Sequence, residues 1–177
     1  MNKYFLAVLL CVYMFQSTQA SLDTIVIDRG IDQPIRVAVV PFELGEGLGE
    51  EANLSKVVAF DLVRSGQFDP MFSENMLSYP TTREEVFFRD WRLLRAAYLL
   101  IGRAELTPAG EVVVEFELYD VVAERLVMEK RLRGSSVAQW RDLGHKIADL
   151  AYAEITGVRG AFSTKLLYVL VENNGTP

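Results

Sequence analysis

The sequence predicts an α/β domain in which a mixed β-sheet is packed with two to three helices. Predominantly apolar runs such as residues 35–40 are typical of strands that are covered on both faces. Segments 51–65 and 136–156 carry apolar residues at helical spacing. Residues 111–120 alternate between apolar and polar positions, which predicts an antiparallel part of the sheet.

The first twenty residues have the layout of a secretory signal peptide. One cation, Lys3, precedes an apolar run from Tyr4 to Phe15, and the small residues Thr18 and Ala20 stand where a signal peptidase reads. The run is shorter than the roughly 20 residues that span a bilayer. We therefore expect cleavage after Ala20 and no membrane insertion afterwards; an uncleaved anchor is the weaker alternative, because the far flank is uncharged.

Cysteine usage and charge exclude several classes of protein. Cys11 is the only cysteine and lies inside the signal, after Leu10, where a lipoprotein signal would carry a small residue. The mature chain therefore has no disulfides and no thiolate metal sites. Removing Lys3 with the signal changes the formal charge from −6 to −7, which disfavours a nucleic-acid partner.

The first half of the mature chain supplies a central strand and a helix. Pro34 interrupts the chain, and Ile35 to Val40 then form the predicted central strand. From there the apolar period becomes helical, which predicts helix one over 51–65, ending at Gly66. Residues 68–72 are extended, but the proline within them indicates an edge or irregular strand.

A second helix is predicted from a capping signal. Thr82 and Glu85 have the spacing of a capping box, and the helix should run to about Leu94. Four apolar residues share its predicted buried face: Val86, Phe87, Trp91 and Leu94.

Three strands should follow. Residues 97–104 form a buried strand, and the turn at 107–110 leads into the alternating strand 111–120. Leu126, Met128 and Leu132 continue the pattern in a partner strand. This part of the sheet is therefore predicted to be antiparallel and half-exposed.

The last helix and the end of the chain have separate signals. Ser136 and Gln139 form a second capping box, which opens a long third helix that ends before Gly157. Residues 157–160 are predicted to be a hinge, and 164–172 one more strand. Asn174-Gly175 is a hairpin turn signal, so we expect that a further β domain is missing from the sequence.

The glycine-rich segment 45–49 lies between a strand and a helix, where a phosphate-binding loop would lie. It lacks the third glycine of a dinucleotide fingerprint and the lysine of a P-loop. Four nearby carboxylates would repel phosphate, and they lack the spacing of a calcium loop: Glu43, Glu46, Glu50 and Glu51. We therefore expect no nucleotide, no metal ion and no cofactor.

The remaining candidates for catalysis have ordinary structural explanations. His145 is the only histidine and lies just off the apolar stripe of helix three, so a His-based metal site is excluded. Glu115 and Glu117 share one face of a strand. We expect this face to be the solvent side of the sheet, and we do not expect the two carboxylates to act as an acid–base pair. Trp91 and Trp140 have helical core spacing. We expect no catalytic residue.

An extended segment near the mature amino terminus is the remaining functional candidate. Thr24 to Ile27 are β-branched or strand-prone, and Asp23 and Asp28 flank them. A strand this short cannot bury itself, so it pairs either with its own sheet or with the open sheet edge of a partner. Residue chemistry alone leaves both alternatives open.

Four blocks of sequence resemble the amino-terminal portion of TolB proteins, the periplasmic components of the Tol-Pal envelope system. In that family the fourth and most specific block joins an α/β domain to a six-bladed β-propeller. The blocks are 25–32, 37–42 ending in Val-Pro-Phe, 61–68, and 155–162.

The resemblance implies a domain organisation. It comprises a signal peptide at 1–20, a mobile binding segment at 21–34, the α/β domain at 35–160, and the start of a truncated propeller at 161–177.

The resemblance also implies a function. TolB proteins are non-enzymatic periplasmic scaffolds that support outer-membrane integrity and envelope invagination in cell division, and some imported bacteriocins exploit them. Their contacts with Pal lie mainly on the propeller, which this sequence lacks. Their mature amino terminus binds the carboxy-terminal domain of TolA, and the residues at that position here are Leu22, Asp23, Thr24, Ile25, Val26, Ile27, Asp28, Arg29, Gly30, Ile31 and Asp32.

Two other classes of protein remain as alternatives. The pattern of strand, Val-Pro-Phe, loop and helix also resembles periplasmic α/β domains that activate cell-wall synthases or form secretion-channel subunits. Those domains usually follow a lipoprotein signal, from which Leu10-Cys11 departs, and the 157–162 block is not expected in them. The second alternative is that the chain is an enzyme, and a broad hydrolase screen would test this interpretation.

Overall fold

A six-stranded mixed sheet forms the frame of the domain. The computed structural model describes residues 33–49 and 53–164. The strands are β1 (Ile35–Val39), β2 (Glu43–Leu44), β3 (Phe68–Pro70), β4 (Tyr98–Leu106), β5 (Val112–Asp120) and β6 (Arg125–Gly134). The helices are α1 (Leu54–Arg64), α2 (Phe88–Leu93) and α3 (Trp140–Thr156), with 3-10 turns at Ser73–Asn75, Arg83–Glu85 and Val137–Gln139.

Several sequence predictions fall outside the described residues. They are the signal peptide, the binding segment Leu22–Asp32, the carboxylates Glu50 and Glu51, and all but the first residue of the predicted strand 164–172.

The sheet has the strand order β3-β1-β4-β5-β6, and β2 pairs with β4 beside β1. β1 runs parallel to both β3 and β4, whereas β4, β5 and β6 are successively antiparallel. The predicted mixed sheet packed with two to three helices is therefore confirmed. β2 was not predicted, because a strand of two residues carries no detectable period.

The two faces of the sheet are covered differently. α1 and α3 pack on one face, and Leu54, Val58, Leu62 and Ile147 are buried there against strand residues that include Phe116. Part of the other face is covered by the segment between β3 and β4. The core on this side contains Met71, Met76 and Trp91 of that segment, and Leu99, Ile101 and Tyr119 of the sheet. No segment of residues 33–49 and 53–164 covers the rest of that second face, where Glu115 and Glu117 line a depression. The domain is thus three-layered at one end of the sheet and two-layered at the other.

Two glycines allow close approaches within the helix-covered layer. A Cβ atom at Gly102 would lie 2.8 Å from the ring of Phe42 and 2.7 Å from the carbonyl oxygen of Glu115. The phenylalanine of the Val-Pro-Phe block therefore packs directly onto the backbone of β4. At Gly144 a Cβ atom would lie 2.8 Å from Val57, so this glycine lets α3 approach α1 closely.

The second helix is shorter than predicted. The capping box of Thr82 and Glu85 is present, but it opens only a 3-10 turn, and the chain is extended again at Val86 and Phe87. Phe87 is 63% exposed, so its predicted place on the buried face is wrong. The physical reason is tertiary: the ring of Phe88 packs on Tyr119 with a centroid distance of 5.8 Å, and this packing overrides local propensity.

α3 begins differently from the prediction and ends as predicted. The side chain of Gln139 accepts the backbone N–H of Ser135 at 2.8 Å, rather than forming a box with Ser136. Gly157 has a φ of 73° and terminates the helix in the left-handed region. No helix in the described ranges is both long and apolar enough to cross a bilayer.

Candidate interaction site

The candidate site is the predicted binding segment Leu22–Asp32. The structure describes the residues that directly follow it in the chain. We call residues 33–35, which directly follow Asp32, the root. The backbone N–H of Ile35 donates to the carbonyl of Gln67 at 2.8 Å, and its side chain packs against the helix-side core. Ile35 is also paired with Phe68 on the edge strand β3. The root is therefore fixed at the start of β1, beside an edge of the sheet.

Tyr152 on α3 connects the root to the carboxy-terminal end of the domain. Its hydroxyl accepts a hydrogen bond from the side-chain amide of Gln67 at 2.6 Å. Its ring packs on Phe68 at 5.8 Å and edge-on against Phe162 at 5.6 Å. A single side chain thus contacts residues beside the root and residues beyond α3.

Asp149 holds residues 160–164, which we call the chain exit, against α3. One carboxylate oxygen accepts the backbone N–H of Phe162 at 2.6 Å. The other accepts both the N–H of Ser163, at 3.1 Å, and its hydroxyl. Gly160 lies so close that a Cβ atom there would be 2.6 Å from the Cα of Asp149.

The predicted hinge at 157–160 is corrected by these contacts. Gly157 ends α3 in the left-handed conformation, and Gly160 permits the chain to return onto the helix. Both glycines therefore allow the chain to turn back tightly onto α3, where Asp149 binds it. The sequence pattern did not distinguish such a return from a free hinge, because glycine is common in both.

His145 has a buried acidic partner that the sequence did not indicate. Its Nδ1 lies 2.5 Å from Oδ2 of Asp61, which belongs to α1 and is 1% exposed. The other oxygen of Asp61 has no hydrogen-bond partner in the described part of the chain. The pair joins α1 to α3 across the interior of the helix layer. A signal existed in the sequence, since a carboxylate on the apolar stripe of a helix requires a partner.

Glu115 and Glu117 lie on the open face of the sheet, as predicted. They line a depression of about 720 Å³ between β4, β5, β6 and the 3-10 turn at Arg83–Glu85. Arg103 donates to Glu115 at 2.5 Å and 3.0 Å, and Arg83 lies 3.5 Å from Glu117. Each carboxylate is thus paired with a cation, and the arrangement is an ion-pair network.

Two of the raised pKa values on this face belong to Arg103 and Tyr119. The hydrogen bond and the charge of Glu115 raise the pKa of Arg103. Burial raises the pKa of the Tyr119 hydroxyl, and its hydrogen bond to Glu117 raises it further. Both groups therefore remain protonated throughout the physiological range. They serve as hydrogen-bond donors to the glutamates.

The glycine-rich loop is partly used in internal hydrogen bonds. The N–H of Gly45 donates to Ala104 at 2.8 Å, which extends the pairing of β2 with β4. The N–H of Leu48 donates back to Gly45 at 3.2 Å. A phosphate loop presents free backbone N–H groups, so this loop has fewer to offer. Within the described residues, no group of three or more His, Cys, Asp or Glu side chains is arranged to hold a metal ion.

Comparisons with known proteins give one consistent result. The family model described as the TolB amino-terminal domain matches residues 23–127. The chain is 39% identical over 176 residues to the Tol-Pal system protein TolB of Marinomonas sp. (strain MWYL1), covering 98% of this chain and 40% of that protein. It is 40% identical over 151 residues to the Tol-Pal system protein TolB of Pseudomonas aeruginosa, covering 85% of this chain and 34% of that protein.

A solved structure agrees with these sequence matches. The crystal structure of TolB from Acinetobacter baumannii superposes with a TM-score of 0.63 at 30% identity, and covers 75% of this chain and 31% of that one. The chain therefore spans about 40% of the length of the relatives it matches, or less.

Proposed function

The chain belongs to the TolB amino-terminal domain family, and from this premise we propose that it is a non-enzymatic periplasmic component of the Tol-Pal system. It binds the carboxy-terminal domain of TolA through Leu22–Asp32. In this role it supports outer-membrane integrity and envelope invagination in cell division. Pal is a further partner of full-length family members, through the propeller.

The observation that carries the proposal is the extent of the family match. The match begins at Asp23, so it includes all but the first residue of the predicted binding segment. Immediately after the segment, the root is fixed by the hydrogen bond from Ile35 to Gln67 at 2.8 Å. The chain that directly follows the segment is therefore an ordered part of the sheet.

β-augmentation is the physical mechanism that we propose for the segment. Thr24 to Ile27 supply backbone hydrogen bonds to an open edge of a partner sheet, and their alternate side chains fit pockets on either side. Asp23, Asp28 and Asp32 attract a basic partner and accelerate the encounter.

The non-enzymatic part of the proposal is supported by the pairing of the candidate groups. Glu115 accepts two hydrogen bonds from Arg103, and Glu117 lies within ion-pair distance of Arg83. A general base needs a free position facing a substrate, whereas these carboxylates are engaged with cations.

A proline substitution in the segment tests this mechanism. Ile25→Pro removes one backbone donor, so we expect calorimetric titration with the TolA carboxy-terminal domain to show binding weakened about tenfold or more. Ile25→Val is the matched control, because it keeps the donor, the branching and the apolar character. Thermal unfolding of both variants is measured alongside, so that a loss of affinity is distinguished from a loss of folding. Equal affinities for the Pro and Val variants would exclude strand addition at this position.

A further inference from the structure

The sheet has one long edge without a strand partner in the described ranges. β6 is the last strand of the sheet order, and it pairs with β5 from Gly134 to Arg125 along one side only. Its ten residues extend over about 33 Å at 3.3–3.4 Å per residue, which is long enough to pair with a strand of six to eight residues. The opposite edge, β3, has three residues and ends at Pro70, which lacks an N–H donor.

The charge of β6 is opposite to the charge of the whole chain. The protein has a formal charge of −6, yet β6 carries four exposed cations and one carboxylate: Arg125, Lys130, Arg131, Arg133 and Glu129. Arg131 lies 3.4 Å from Glu115. Arg125, Lys130 and Arg133 form no ion pair with any carboxylate in residues 33–49 and 53–164.

The register of β6 defines the two sides of a strand that would pair with it. Arg131 is opposite Glu115 and Arg133 is opposite Val113, so both arginines lie on the open face of the sheet. On the helix-covered side, Met128 belongs to the core, Leu132 packs against it, and the exposed Lys130 lies between them in register, opposite Phe116. An added strand would therefore meet the two arginines on the open side, and the apolar side chains of Met128 and Leu132 beside one lysine on the other.

Charged residues on an edge strand commonly prevent aggregation. On β6 the charges are almost all positive, so they oppose pairing with a second copy of β6 or with any basic strand. The same charges attract an acidic strand, and its ion pairs would add to the backbone hydrogen bonds. The edge is therefore selective in the sign of charge that it accepts.

We propose that the free edge of β6 binds an extended acidic segment of a partner protein by strand addition. The segment carries acidic residues at alternate positions, facing Arg131 and Arg133, and β-branched apolar residues between them, facing the side of Leu132. This surface is separate from the binding of TolA through Leu22–Asp32 and does not depend on it.

A synthetic peptide tests the site in the mature chain. The probe is a blocked peptide of about eight residues that alternates valine with glutamate, a length that β6 can accommodate. The comparison peptide has the same composition, with all glutamates before all valines. Calorimetry should show binding of the alternating peptide at moderate salt, and binding of the block peptide weaker by about tenfold or more. Equal affinities of the two peptides would show that binding depends on their charge alone, and would overturn strand addition.

Amide hydrogen exchange locates the binding. An added strand hydrogen-bonds to every second residue of the edge, so the alternating peptide should slow exchange at alternate amides of β6. Protection confined to other parts of the chain would overturn the assignment, whatever the affinity.

Charge reversal gives the matched variants. Arg133→Glu should weaken binding of the alternating peptide about tenfold, because an attraction becomes a repulsion at the edge. Lys56→Glu makes the same change of net charge at an exposed position on α1 and should leave the affinity within about twofold. Equal losses in both variants would show that only net charge matters, which would contradict a site on β6.

Discussion

The helix-covered layer and the open face of the sheet both contain carboxylates paired with cations or hydrogen-bond donors, but the burial differs. Asp61 and Asp149 are 1% and 8% exposed, and each joins segments that are distant in sequence. The side chains of Arg103 and Glu115, on the open face, are 45% and 35% exposed. Buried carboxylates are costly to leave without partners, whereas exposed ion pairs contribute little to stability. The helix layer is therefore expected to contribute more to the stability of the fold than the ion pairs of the open face do.

His145→Ala should have the largest effect of the changes that test this difference. It leaves the carboxylate of Asp61 buried without its partner, so we expect the free energy of unfolding to fall by about 2–4 kcal/mol. Urea denaturation followed by circular dichroism measures this change. A loss below about 0.5 kcal/mol would show that the buried pair does not join α1 to α3 energetically.

Asp149→Ala should have an intermediate effect with a local signature. Three hydrogen bonds to Phe162 and Ser163 are lost, and we expect destabilisation of about 1–3 kcal/mol. Amide exchange at these two residues should become fast, whereas exchange in β4 and β5 should quicken only as much as the loss of global stability requires.

Glu154→Ala is the control for Asp149→Ala, since Glu154 is exposed on the same helix. Its stability should stay within about 0.5 kcal/mol of the parent chain. If both variants left Phe162 and Ser163 protected, the chain exit would be held by the aromatic contact with Tyr152 instead.

Arg103→Ala should have the smallest effect. The pair with Glu115 is exposed and Glu115 also contacts Arg131, so we expect a loss of about 0–1 kcal/mol. The loss should shrink further in about 1 M salt, because screening weakens exposed pairs. A loss as large as that of His145→Ala would remove the distinction between the two regions.

The long periodic elements were predictable because each carries its signal over many residues. β4 and β5 have nine residues each and α3 has seventeen, and all three lie within a few residues of the predicted ranges. β2 has two residues and offers no period, and α2 was shortened by the packing of Phe88 on Tyr119. Local patterns fail where tertiary contacts decide the backbone.

The pairs that hold the helix layer were not predictable from spacing. Asp61 and His145 are 84 residues apart in sequence, and Asp149 binds backbone N–H groups that any residue would provide. The only sequence signal was the presence of carboxylates among apolar residues of a helix. That signal states that a partner exists, but it does not identify the partner.

The most direct test of the central proposal compares the mature chain that begins at Ser21 with a version that begins at Pro34. Each is titrated calorimetrically with the TolA carboxy-terminal domain, after circular dichroism has confirmed that both are folded. We predict binding by the longer chain and none by the shorter, because Leu22–Asp32 are absent from the latter. Equal binding by both would move the site onto the folded domain, and binding by neither would contradict the proposed partner.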